Sequence, residues 1–147
     1  MNGRWVWSTR PDHYRDASGD EHPHLDPTAP EVPEPWCCSS RVRAGDLGVV
    51  YRSRERRDLS HLVVVRSDAE RAPEPDGGWT CRVRVLARFR EPLELLELRA
   101  DPVLSRWPAL RASFVQRCFP VPEPVWQRLL VVGPPELRQL GGRHEAP

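Results

Sequence analysis

The residues best placed for chemistry lie between Trp36 and Ser53, in the run WCCSSRVRAGDLGVVYRS. A tight turn at Gly45-Asp46 leads into a short apolar strand, Leu47 to Tyr51, with Arg52 and Ser53 directly after it. A stacking ring, a cationic donor and a hydroxyl at one strand end suit a flat polar ring such as a nucleobase. They do not suit bond breaking. Ser8, Ser53 and Ser113 lack a G-x-S-x-G context, and His61 sits in mid-strand among apolar neighbours. Gly45-x-x-Gly48 is not followed by the Lys-Ser/Thr of a phosphate-binding loop. A binding protein is expected, not an enzyme.

The metal question has the same answer. Cys37 and Cys38 are adjacent, Cys81 and Cys118 are isolated, and no C-x-x-C pair exists. Zinc ligands usually come in pairs two to four residues apart, so these cysteines read as buried small apolar residues. His13, His22 and His24 fall in a Pro-rich stretch with no regular period and read as a solvated loop. No metal and no cofactor is expected.

The net charge of +1 conceals an uneven distribution, and every cation is an arginine. Residues 12–34 are mostly acidic, whereas residues 41–57 carry Arg41, Arg43, Arg52, Arg54, Arg56 and Arg57 against Asp46 and Glu55. One basic face is therefore possible on a near-neutral chain, and arginine pairs with phosphate and stacks on bases. Six tryptophans is a high number for 147 residues. Trp126, Trp5 and Trp107 read as core, and Trp7, Trp36 and Trp79 lie near strand ends or loops.

These side chains need a scaffold, and the hydrophobic pattern supplies one. Strands are predicted at Arg4–Ser8, Leu47–Tyr51, Leu59–Arg66 and Trp79–Phe89. In the last, Cys81, Val83, Val85 and Ala87 alternate with Arg82, Arg84, Leu86 and Arg88, a half-buried pattern. Residues 12–17 could form one helical turn, Trp36–Ser40 a turn or short helix, and residues 68–78 a flexible connection. Glu91-Pro92 should end the long strand and open a helix at Leu93–Leu98. Asp101-Pro102 caps a turn over Val103–Arg106, residues 110–119 read as an irregular strand, and Pro122–Val131 is an amphipathic helix. The expected fold class is α+β, a curved or closed mixed sheet of five to six strands with short flanking helices. One domain should span residues 1–133, with a turn and flexible tail over 134–147. No stretch is apolar enough to span a membrane and no secretory leader is evident, so a cytoplasmic monomer is expected.

The order of motifs resembles the EVE domain of the PUA-like superfamily, related to YTH domains, over about residues 4 to 130. The resemblance is carried by Trp5-Val-Trp-Ser-Thr-Arg-Pro with Tyr14, Trp36, and Arg43-x-Gly45-Asp46-x-x-x-x-Tyr51-Arg52-Ser53. It continues through the valine strand 62–65, Val83-x-Val85, Pro92-Leu93 with Leu96, and Asp101-Pro102-Val103-Leu104. Leu110-Arg111, Phe119-Pro120-Val121 and Trp126-Gln-Arg-Leu-Leu complete it. It is closest to EVE domains found with methyl-directed restriction systems. That branch often carries Asn-Pro where this chain has Arg10-Pro11, and a Gly/Thr/Asn-containing stretch where it has Val115-Gln116-Arg117-Cys118.

The resemblance implies a non-catalytic reader of a modified base, with modified cytosine in DNA foremost, modified RNA as the alternative, and an enzyme acting on a nucleotide-like ligand as the third reading. It implies Trp7-Ser8-Thr9 as one pocket wall with edge contacts, Trp36 as the opposing wall, and Tyr51-Arg52-Ser53 as the floor. Arg111 and Ser113 would touch the base edge or adjacent phosphate. Arg10, Arg41, Arg43, Arg54 and Arg117 are the expected contacts to the nucleic-acid backbone. A duplex base would have to be flipped out, at a cost of a few kcal/mol. Any effector, such as a nuclease or NTPase, would be encoded separately.

Overall fold

The run Leu62-Val63-Val64-Val65 has no side chain suited to water, and it lies at the heart of a sheet covered on both faces. The computed structural model describes residues 3–14, 25–114 and 117–142. In chain order its elements are β1 (Arg4–Thr9), α1 (Pro11–Tyr14), β2 (Trp36–Cys38), β3 (Leu47–Arg52) and β4 (Asp58–Val65). Then come β5 (Glu70–Arg71), β6 (Trp79–Cys81), β7 (Val83–Glu94), α2 (Leu95–Ala100) and α3 (Pro108–Arg111). β8 (Cys118–Pro120) and α4 (Glu123–Val132) complete the order. A 3-10 turn covers Leu104–Arg106 and a π-type turn Leu137–Gly141.

Five strands form a mixed sheet in the order β7-β4-β3-β1-β8, in which β1 and β3 run parallel and the other pairs antiparallel. A separate three-stranded sheet has the order β2-β6-β5. The fold is thus α+β, as expected, with a small second sheet added. The main core lies on one face of the large sheet, where Leu62, Val64, Val49 and Phe89 meet Trp107 and Trp126. On the other face Val63, Val65, Val83 and Val85 pack with Trp5, Trp7, Tyr14 and Leu25. Among the described residues, no helix is long and apolar enough to cross a membrane.

Several local expectations need correction. Trp36–Cys38 is a strand, because β6 supplies an antiparallel partner distant in sequence. Residues 68–78 are not wholly irregular, since Glu70–Arg71 pairs with β6. The Trp79–Phe89 strand is broken at Arg82, so Trp79–Cys81 joins the small sheet. Beyond it β7 runs through Pro92 to Glu94, and the helix starts at Leu95 rather than Leu93. A bulge opposite Leu62/Val63 also shifts the register, pairing Val85 with Val63 but Ala87 with Leu62. One extra residue reverses which face points inward. Val85 therefore enters one core, Ala87 the other, and Leu86 packs against the core instead of facing out with the arginines. Residues 110–119 hold the end of α3 and the short β8 instead of one strand, Pro108 occupying the first helical turn. The expected helical turn at 12–17 is described only as far as Tyr14. His22 and His24, Val115 and Gln116, and residues 143–147 lie outside the described residues, as does the side chain of His13.

Asp101 shows how the small helices are held. Its Oδ1 accepts the N–H groups of Val103 and Leu104, both at 2.9 Å, and its Oδ2 accepts from Arg128 Nε at 2.9 Å and Nη2 at 2.8 Å. The 3-10 turn is thereby capped and pinned to α4. The Arg128 hydrogen bond is the largest influence holding the Asp101 carboxyl below its ordinary value. A depressed carboxyl stabilises the fold above the unfolded value of about 4 and loses that contribution as pH falls through the folded value. Asp101→Asn should therefore cost about 1–3 kcal/mol at pH 7 in urea unfolding. The difference from wild type should shrink as the pH falls below about 4.

Candidate nucleobase and phosphate site

β1 and β3 run side by side, so Trp7, Ser8 and Thr9 face Val50, Tyr51 and Arg52 across the ladder. Beside this strand end lies a cavity of about 200 Å³, lined chiefly by Trp7, Ser8, Thr9, Glu34, Trp36 and Arg117, with Cys37 on its wall. Sites for drug-sized ligands run to about 300–1,000 Å³. This one has room for a single ring. Trp7 is almost fully buried, and its indole N–H donates to the Cys37 carbonyl at 3.0 Å. Trp36 is half-buried and meets Trp7 edge to face, with centroids 5.8 Å apart and ring planes at 62°. That spacing leaves no gap for a third ring between them. The tryptophans are adjoining walls, and the opposing-wall expectation is corrected accordingly.

Gly48 sets the position of Trp7. A Cβ on Gly48 would lie 2.4 Å from Trp7 Cζ3 and 2.7 Å from Cε3, closer than carbon atoms approach. Gly48→Ala should therefore push the indole toward the cavity and cost about 1–3 kcal/mol. Urea midpoints would measure the cost, and the Trp7 indole resonance would report the displacement.

A second cavity, of about 610 Å³, adjoins the first and shares Ser8 and Arg117 with it. Arg10, Arg54, Arg57, Arg99 and Arg117 line it together with hydroxyl-bearing Tyr51, Ser53 and Ser113, and among the described residues no carboxylate lines it. Among the described residues, four other than glycine have positive φ: Arg54 (67°), Arg57 (54°), Ser113 (55°) and Phe114 (52°). All four line this cavity. Each such residue costs on the order of 1–3 kcal/mol, and strain of this kind collects where a surface is shaped for a ligand. Tyr51 is stacked on Phe114 with centroids 4.1 Å apart, so its ring face is covered and its edge reaches the cavity. The Tyr51 hydroxyl is a donor at neutral pH, and burial holds its pKa above the ordinary value.

The expected site residues thus divide. Trp7, Ser8, Thr9 and Trp36 line the small cavity, while Tyr51, Ser53, Ser113, Arg10, Arg54 and Arg117 line the basic one or bridge the two. Ser53 is held there by donating from Oγ to the Thr9 carbonyl at 2.7 Å. Arg52 is elsewhere. Successive strand residues point to opposite faces, and Arg52 makes a two-pronged pair with Asp58, both contacts at 2.8 Å. It cannot share a floor with Tyr51. Arg111 lines neither cavity and is exposed at the end of α3. Arg41 lies over the Trp5 ring, and Arg43 donates to the Ser40 and Val42 carbonyls. Neither lines these cavities.

Sequence reasoning missed Glu34, Cys37, Arg57 and Arg99. Arg57 lay in the counted arginine run, and Glu34 in the Pro-rich approach to Trp36. Arg99 had no signal beyond its charge. Cys37 departs from the buried-cysteine reading: it is exposed, and Arg117 Nη1 lies 3.5 Å from its sulfur. Behind the wall, Cys81 is buried, and its hydrogen bond with Cys38 raises its thiol pKa while lowering that of Cys38. Burial pushes Cys118 up to about 12. Among the described residues, no cluster of three His, Cys, Asp or Glu side chains is arranged to hold a metal ion.

The sequence model of the EVE domain matches residues 5–132. No curated protein matches the chain in sequence. Among solved structures, a protein of Rhodopseudomonas palustris is similar at 18% identity, with a TM-score of 0.67, covering 86% of this chain and 89% of its own. A Leishmania major protein is similar at 15% identity, with a TM-score of 0.68 and coverages of 95% and 97%. Human THYN1, solved in complex with DNA containing 5-methylcytosine, is similar at 14% identity, with a TM-score of 0.66 and coverages of 89% and 97%.

Proposed function

The chain belongs to the EVE domain family, and on that footing we propose that it is a non-catalytic reader of modified cytosine in DNA. One observation carries the reading: a ring-sized cavity walled by Trp36 opens beside an arginine-lined one, and Arg117 and Ser8 belong to both. A base stacks on Trp36 and abuts the edge of Trp7. Its flanking phosphates lie among Arg10, Arg54, Arg57 and Arg99, whose planar forks suit phosphate oxygens. Glu34 at the cavity offers a carboxylate to the exocyclic amine of cytosine, the pairing that carboxylates make with that base. The human THYN1 complex, with a similar fold on methylated DNA, supports the choice of ligand.

The energetics set the expected selectivity. Flipping the base costs a few kcal/mol, which stacking and phosphate contacts offset for any cytosine. One buried methyl group adds only about 0.8 kcal/mol. The reader is therefore modestly selective, and it serves a restriction or defence system through a separately encoded effector. In fluorescence anisotropy at fixed salt, a duplex with one 5-methylcytosine should bind roughly fourfold tighter than the plain duplex. Equal affinities would remove the proposal. Competition by a methylated RNA of the same sequence tests the alternative, since stronger binding of RNA would place the 2′-hydroxyl in the recognised surface.

A further inference from the structure

The large sheet opens on its other side as well. Between β4 and β7, Leu59 pairs with Leu93 and His61 with Arg88, so Ser60 alone faces the span from Phe89 to Pro92. Pro92 has no N–H to give to a ladder, and the strands part around a cavity of about 400 Å³. Among the described residues, its polar lining is Arg52, Arg56, Ser60, His61, Arg88 and Arg90. Ser60 and His61 are fully buried at its base, and the irregular register brings Ser60 Oγ to 2.7 Å from His61 Nδ1. In a regular strand these neighbours would point apart.

The cations around this floor are partly fixed in place. Asp58 takes Nε and Nη2 of Arg52 and so orients the guanidinium, leaving its Nη1 edge for a further acceptor. Asp58 offsets the charge of Arg52, the guanidinium groups of Arg56 and Arg90 line the cavity with it, and among the described residues no carboxylate is in the lining. Tyr51 and Arg52 lie on opposite faces of β3, so this cavity and the basic cleft described above sit on opposite faces of the sheet. The loop of residues 53–57 separates them, sending Arg54 and Arg57 to one and Arg56 to the other.

We propose that this cavity is a second anion site that takes a phosphate group, as a monoester or within a phosphodiester. Arginine forks match phosphate oxygens in pairs. The buried Ser60–His61 pair supplies a polar floor that the family reading leaves unused. The site does not depend on the base-binding proposal.

The test uses the whole chain and inorganic phosphate, followed by amide resonances in ¹H–¹⁵N spectra, with sodium chloride at equal ionic strength as control. Phosphate should shift the amides of Ser60, His61 and Arg90 in a saturable manner that chloride does not reproduce. Arg88→Ala/Arg90→Ala should weaken phosphate binding at least fivefold while the thermal melt confirms folding. Arg56→Ala, on the loop, should weaken it severalfold and provides a second variant if the double substitution unfolds. Identical shifts in chloride, or unchanged phosphate affinity in these variants, would overturn the proposal. A plain DNA duplex then identifies the source within the proposal: displacement of phosphate assigns the site to a nucleic-acid backbone, and no displacement assigns it to a free phosphate ester.

Discussion

Replacing Trp36 with alanine is expected to weaken binding of a 5-methylcytosine duplex by about 5- to 150-fold, with the fold left intact. Stacking one base on an aromatic ring contributes about 1–3 kcal/mol, and Trp36 is the half-buried ring of the small cavity. Its neighbour Trp7 is buried under Gly48 and tied to the Cys37 carbonyl, so it has little face to offer in its place. The stability cost should be small, because Trp36 sits in a three-residue strand of the minor sheet rather than in the main core. Anisotropy titrations alongside urea unfolding separate the two effects. A variant that unfolds normally but binds with wild-type affinity would mean that the base lies elsewhere.

The largest stability effect is expected at Asp46. This residue is 3% exposed, and its carboxylate accepts three N–H groups. Oδ1 takes Gly3 N at 2.7 Å, and Oδ2 takes Trp5 Nε1 and Arg43 N, each at 2.9 Å. It therefore joins the start of β1 to the turn that begins β3, the two strands whose far ends form the site. Hydrogen bonds to a charged group contribute about 1.5–3 kcal/mol each and do not simply add. Asp46→Ala should lose about 3–5 kcal/mol, read as a lower urea midpoint with an unchanged slope. Asp46→Asn should recover only part of this, because its NH₂ side cannot accept a donor. A loss below about 1 kcal/mol would show that the hub is not structural.

Most of the strands were legible because their signals are local. The turn at Gly45-Asp46 requires the positive φ of 92° that Gly45 adopts, and the valine run needs burial on both sides. β2 and β5 were not legible, since each is held by pairing with β6 from a distant part of the chain. Register was the harder problem. A single bulge at Leu86 changes which face of β7 points inward, and alternation alone cannot locate it. The site followed the same pattern. Trp7, Ser8, Thr9 and Trp36 were readable from aromatic and strand-end motifs, and the cavity gathers them. Arg52 was misplaced because reading Tyr51-Arg52-Ser53 as one group ignored the period of two. Arg99 enters the basic cleft only because α2 follows directly on β7 beside the β3–β4 loop, where Leu95 N–H bonds to the Arg57 carbonyl.

A modified base that enters the cavity walled by Trp36 must perturb the indole N–H groups beside it. Trp7 and Trp36 line that cavity, whereas Trp107 and Trp126 lie in the main core. Titration with a duplex carrying one 5-methylcytosine should shift the Trp36 and Trp7 indole signals and leave those of Trp107 and Trp126 in place. The unmodified duplex should give the same shifts only at severalfold higher concentration. If the Trp36 and Trp7 signals stay fixed while the methylated duplex binds, the base does not enter this cavity.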